Sequence, residues 1–159
     1  MYVQILYIQM KIEDLLKTNQ TLPPSRRLLL SILHTSNLIN DKISETLKPF
    51  DISISQFNVL RILRGQKGEP ANLSTIQDRM ISKMSNTTRI VDKLITKGYA
   101  ERVVCEENRR KVEITITPKG LIFLSEIDPI IDNTEAILTE NLTTAELESI
   151  TNNLQKLLK

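Results

Sequence analysis

The side chains that could do covalent chemistry in this sequence are too few for most enzymatic mechanisms. His34 is the only histidine and Cys105 the only cysteine. Nucleophilic catalysis needs a base and an orienting group beside the nucleophile, and His34 stands in a mostly apolar stretch with no such company. No Cys/His grouping has the spacing of a zinc site, and one cysteine cannot make an intramolecular disulfide framework. The expectation is a protein that is not an enzyme, carries no cofactor or metal, and works in a reducing cytoplasm. Glu106 and Glu107 follow Cys105 directly, and their negative charge disfavours a reactive thiolate, which leaves Cys105 a structural role.

The chemistry that the sequence does concentrate is recognition of a polyanion. Between positions 82 and 111 stand eight cations, Lys83, Arg89, Lys93, Lys97, Arg102, Arg109, Arg110 and Lys111, against four acids, Asp92, Glu101, Glu106 and Glu107. The whole chain carries a formal net charge of +2, so the positive surplus is local and the remainder is net negative. Such clustering is the electrostatic footprint of a nucleic-acid module. At about 100° per residue, Met84, Thr87, Ile90, Val91, Leu94 and Ile95 share one side of a helix. Ser85, Asn86, Arg89, Lys93 and Thr96 take the other, where they have the hydrogen-bonding character to meet base edges and phosphates. A row of polar residues is more often a merely solvated helix face; the charge clustering tilts the reading towards recognition.

These residues must be held by a small fold. With 159 residues, the chain is about one domain by the prior of roughly 150 residues. Its 40% hydrophobic and 25% charged residues are those of a globular protein, and four glycines and six prolines leave little for a many-turned β-sandwich. Residues 1–10 are apolar but too short to span a bilayer, and no basic region or small-residue cleavage site accompanies them. Two readings stay open: a natural start at Met10 with an upstream extension before it, or an N-terminal helix that packs on a partner subunit.

Punctuation gives the elements in order. Ser25 is a plausible N-cap after Pro23-Pro24, and Leu28, Leu29, Ile32, Leu33, Ser36, Ile39, Ile43 and Leu47 trace one face of a long helix that Pro49 ends. Ser53 or Ser55 caps a shorter helix with Phe57, Leu60 and Leu63 on one face, broken by the Gly65 to Pro70 segment. Positions 73–80 form a two-turn helix, 81–83 a polar connector and 84–97 a helix closed by Gly98, together a helix-turn-helix. Periodicity then alternates over 99–105 and 111–117, two strands joined by a charged tip at 106–110, with Val112, Ile114 and Ile116 on one face. Thr117-Pro118 opens a helix that Pro129 should kink or restart, with Asp128 as a new cap. Thr143-Thr-Ala-Glu146 is a capping box ahead of a last helix lined by Leu147, Ile150, Leu154, Leu157 and Leu158.

The run from Met84 through Arg89, Asp92, Leu94 and Gly98 to Arg102, then Asn108-Arg109-Arg110 and Val112 to Gly120, resembles the MarR family of winged-helix transcriptional regulators. With the flanking helices, the resemblance extends from Ser25 to Lys159. It implies a mainly α fold with a small β-hairpin wing (α+β), a winged helix-turn-helix lobe with intertwined N- and C-terminal dimerisation helices. Residues 1–24 are then an N-terminal extension, 25–50 and 118–159 the dimerisation helices, and 51–117 the DNA-binding lobe.

The resemblance also implies a sequence-specific transcriptional regulator, a homodimer that binds a pseudo-palindromic operator in double-stranded DNA and is relieved by a small aromatic or anionic effector. Ser85, Asn86 and Arg89 match the family's recognition-helix contacts, and Arg110 its wing-tip arginine. Lys83, Lys93, Arg109 and Lys111 complete the candidate DNA-binding set. Asn108 stands where the family usually has an aspartate, so the hydrogen bond that orients Arg110 loses its charge assistance. Peroxide-sensing members use a cysteine near the start of the first helix, a position without one here. His34, Asn37 and Arg61 could line an effector cleft, but no residue is assigned to it. A winged-helix module that binds protein instead of DNA is the alternative, since fold alone does not fix function.

Overall fold

A computed structural model describes residues 11–81, 86–104 and 112–158 of the chain. It divides into two compact units, residues 1–42 and 43–159. In the first unit a one-turn helix, α1 (Ile12–Leu15), precedes an irregular stretch, and Arg27 Nε donates to Glu13 Oε1 at 2.7 Å. The long helix α2 (Pro24–Leu47) starts on a proline, whose missing N–H has no intrahelical partner in a first turn anyway. Ser25, expected as the cap, is therefore already inside the helix. A short 3-10 turn (Lys48–Phe50) follows, closed by Asp51 in the left-handed conformation at φ 52°.

Within the second unit, α3 (Ile54–Arg64) is capped by Ser53 and not Ser55. Ser53 Oγ accepts from Gln56 N at 3.2 Å while Gln56 Oε1 accepts from Ser53 N at 2.9 Å. Two amide donors that the helix leaves orphaned are thereby satisfied. The short α4 (Leu73–Arg79) is capped by Asn72, whose Oδ1 accepts from Thr75 N at 2.8 Å. Next come α5 (Thr87–Thr96), β1 (Ala100–Val104) and β2 (Val112–Ile116). The strands pair antiparallel in a register running from Ala100 opposite Ile116 to Val104 opposite Val112. Ala71 joins the hairpin's edge by exchanging two backbone hydrogen bonds with Ile114, at 2.9 and 2.8 Å.

The core gathers Phe57, Leu60 and Leu63 of α3, Ile76 of α4, Val91 and Leu94 of α5, and Ile114 of β2. α6 (Pro118–Thr139) closes it with Phe123, Leu124, Ile127 and Ile131. α6 runs unbroken through Pro129, and Asp128 is not a cap. The reason lies in the packing. Ile127 and Ile131 on either side of the proline are both buried, and that burial outweighs the one bond lost to the Ser125 carbonyl, which sits on the exposed side.

The last helix, α7 (Thr144–Gln155), has the expected capping box: Thr143 Oγ1 accepts from Glu146 N at 3.3 Å and Glu146 Oε2 accepts from Thr143 N at 2.8 Å. The backbone hydrogen bond from Thr143 holds the Glu146 carboxyl below its ordinary range. Ile150, Leu154 and Leu157 are exposed, as are Leu28, Leu29 and Leu33 of α2.

Candidate nucleic-acid interface

α5 is strongly two-faced. Thr87, Ile90, Val91 and Leu94 are buried, the three- and four-residue steps that turn one helix face to a core. Asn86, Arg89, Lys93 and Thr96 are exposed on the opposite side, as the periodicity requires. Thr88 and Asp92 share that exposed face. Thr88 was missed by the sequence reading, although it stands four residues before Asp92 and eight before Thr96, the helical repeat that would have found it.

Three devices fix this helix to its surroundings. Its C-terminal end is closed by Gly98 at φ 73°, a left-handed conformation that glycine adopts without cost. Lys97 Nζ donates to Asp51 Oδ2 at 2.5 Å, so this cation is engaged within the lobe and is set apart from the exposed Arg89 and Lys93. The Lys97 hydrogen bond, aided by the charges of Lys97 and Lys93, holds the Asp51 carboxyl below its ordinary range. Arg102 Nη2 donates to Asp92 Oδ1 at 2.7 Å, tying β1 to the exposed face of α5 and setting where the hairpin stands relative to it. Cross-strand, Thr115 Oγ1 donates to Glu101 Oε1 at 3.2 Å.

The start of α6 locks onto the same region. Thr117 Oγ1 donates to the Gly98 carbonyl at 2.7 Å and accepts from Gly120 N at 3.1 Å. Lys119 Nζ donates to the Lys97 carbonyl at 2.9 Å and lies 5.2 Å from the centre of the Tyr99 ring. Tyr99 in turn stacks on Phe123 with centroids 4.5 Å apart. The wing's base, the end of α5 and the first turn of α6 are thus one connected body.

Of the candidate DNA-binding residues, Asn86, Arg89 and Lys93 come together on one exposed face. Lys83 and Ser85, with Arg109, Arg110 and Lys111 of the hairpin tip and the neighbouring Cys105 and Asn108, lie outside the described residues. Asn86 and Thr88 stand at the N-terminal end of α5, the positive end of the helix dipole, which favours an anion. Among the described residues no group of three or more His, Cys, Asp or Glu could hold a metal ion. None of the described helices is long and apolar enough to cross a membrane.

Residues 52–112 match the family model described as the MarR family. The transcriptional repressor MprA of Escherichia coli K12 is 29% identical over 137 residues, 85% of this chain and 78% of that protein. A cysteine-to-serine variant of E. coli MarR, solved in complex with operator DNA, superposes with a TM-score of 0.72 at 25% identity, covering 80% of this chain and 91% of that one. The Bordetella bronchiseptica protein BpsR, whose DNA binding is regulated by 6-hydroxynicotinic acid, shares the fold at a TM-score of 0.74 and 20% identity, over 84% of this chain and 99% of its own.

Proposed function

We propose that the chain is a member of the MarR family, whose model matches residues 52–112, and that it is a homodimeric, sequence-specific regulator of transcription that binds a pseudo-palindromic operator in double-stranded DNA. The single observation that carries this reading is the exposed face of α5, where Asn86, Arg89 and Lys93 stand together with their backs to a closed core. α5 lies in the major groove, and the hairpin between β1 and β2 reaches the adjacent minor groove with Arg109, Arg110 and Lys111. Lys83 and Ser85 extend the contact surface at the start of the recognition helix. Residues 51–117 form the DNA-binding lobe, and 25–50 with 118–159 the dimerisation helices.

The protein acts by binding and not by turnover, in the cytoplasm. Its effector is a small aromatic or anionic molecule, the chemical class to which the 6-hydroxynicotinic acid of BpsR belongs. Such a ligand releases DNA by binding more tightly to the lobe arrangement that cannot span both half-sites.

The test is binding of the purified protein to DNA from its own upstream region, against random DNA, at two salt concentrations. The native fragment is expected to win, with affinity falling steeply as salt rises because phosphate contacts release counterions. Absence of binding to either fragment at low salt, in protein refolded free of small molecules, overturns the reading.

A further inference from the structure

We propose that Arg64 and Asp128 form a positioning pair that sets the distance between half-sites which the protein accepts. The proposal rests on the operator-binding reading above. Arg64 lies in the last turn of α3, and its Nη1 donates to Asp128 Oδ2 of α6. The two residues stand 64 positions apart in sequence. Both side chains are partly exposed, at 38% and 25%, so the pair adds little to stability. Its value is directional.

Leu124, Ile127 and Ile131 of α6 are buried in the core that also holds Phe57, Leu60 and Leu63 of α3. Apolar burial scales with the area removed from water and is non-directional. A guanidinium and a carboxylate fix a direction as well as a distance. The position of the pair on α6 matters too. Asp128 immediately precedes Pro129, and the proline leaves the Ser125 carbonyl without its helical partner. That turn is the weakest point along the helix, the place where a bend is easiest. The ion pair therefore clamps the lobe to α6 at the place where α6 would otherwise flex.

α5 packs on α3 and its C-terminal end is bonded to the first turn of α6; the Arg64 to Asp128 contact adds a second attachment of the lobe further along α6. Beyond Pro129, α6 carries exposed Ile137 and Leu138, part of the stretch assigned to dimerisation. The angle at Arg64 and Asp128 thus fixes where each recognition helix stands relative to the dimer stem, and with it the separation of the two.

The experiment compares the wild-type protein with Arg64→Gln, Asp128→Asn and the double variant. The DNAs are the operator, the operator with one base pair added or removed between half-sites, and a single half-site. Wild type is expected to discriminate against altered spacing, and each single variant to lose about tenfold or more of that discrimination. The double variant should lose no more than either single one, because both remove the same interaction. Half-site affinity should stay within about threefold of wild type. Unchanged spacing preference in all three variants overturns the proposal. So does a parallel fall in operator and half-site affinity with lowered melting temperature, which is the mark of a merely structural pair. Wild-type protein that binds none of the DNAs refutes the operator-binding reading itself, a result distinct from either.

Discussion

Arg89 is the residue on which the recognition reading concentrates. It is exposed two residues into α5, long enough to reach a base edge, and its guanidinium has the fork geometry that matches the O6 and N7 acceptors of guanine. Arg89→Ala is expected to weaken operator binding by roughly 1–3 kcal/mol and to relax discrimination at one base-pair position. Competition binding against operators substituted one position at a time checks this, and equal affinity with an unchanged specificity profile would remove Arg89 from the contact set. The exposed sides of Asn86, Arg89 and Lys93 were legible in the sequence because a helix repeats every 3.6 residues and the apolar positions fix the phase. The Arg102 to Asp92 and Arg64 to Asp128 pairs were not, since an ion pair between distant elements leaves no periodic signal. Thr88 was legible in principle and passed over beside its buried neighbour Thr87.

At the scale of elements, the junction between β1 and α6 offers a case where two effects oppose each other. Gly120 sits in the first turn of α6, where alanine is a better helix former by up to ~1 kcal/mol. A Cβ at that position, however, would lie 2.2 Å from the Tyr99 carbonyl oxygen and 2.8 Å from Ile116 Cγ1. The nearer atom is backbone, held by its hydrogen bond from Thr117 N at 3.1 Å, and cannot rotate away. Overpacking of this kind costs about 1–3 kcal/mol, so it wins, and Gly120→Ala should lower the melting temperature by about 2–4 °C for each kcal/mol lost. A thermal melt that is unchanged or raised would mean that α6 is not seated against Tyr99. The same junction shows how local signals succeed and fail. Thr117-Pro118 marked the start of α6 because a cap and a first-turn proline act within one turn. The restart expected at Pro129, with Asp128 as its cap, is absent because the local preference for a break yields to the burial of Ile127 and Ile131, a long-range fact.

For the whole molecule the decisive feature is apolar surface that stays exposed among the described residues. Leu28, Leu29 and Leu33 of α2, and Ile150, Leu154 and Leu157 at the C-terminal end, all remain exposed, and a monomer seldom leaves so many large side chains in water. These are the faces whose periodicity announced helices without saying what would cover them. In the proposed homodimer a second copy covers both sets, and its symmetry makes the interface sensitive to single changes, because each substitution enters twice. Leu33 is the sharpest probe: at 62% exposure it contributes little to the fold of one chain. Burying a leucine in a partner is worth about 1.5–3 kcal/mol, so Leu33→Glu, counted on both protomers, should weaken dimerisation by at least ~3 kcal/mol, more than a hundredfold. Sedimentation equilibrium should then show dimer for the wild type and monomer for Leu33→Glu at micromolar concentration, with the circular dichroism of both alike. Operator affinity should fall to that of a single half-site while half-site affinity is retained, because avidity is lost and the recognition helix is untouched. A variant that stays dimeric, or one that loses half-site binding in step with operator binding, would place the interface elsewhere than on this face of α2.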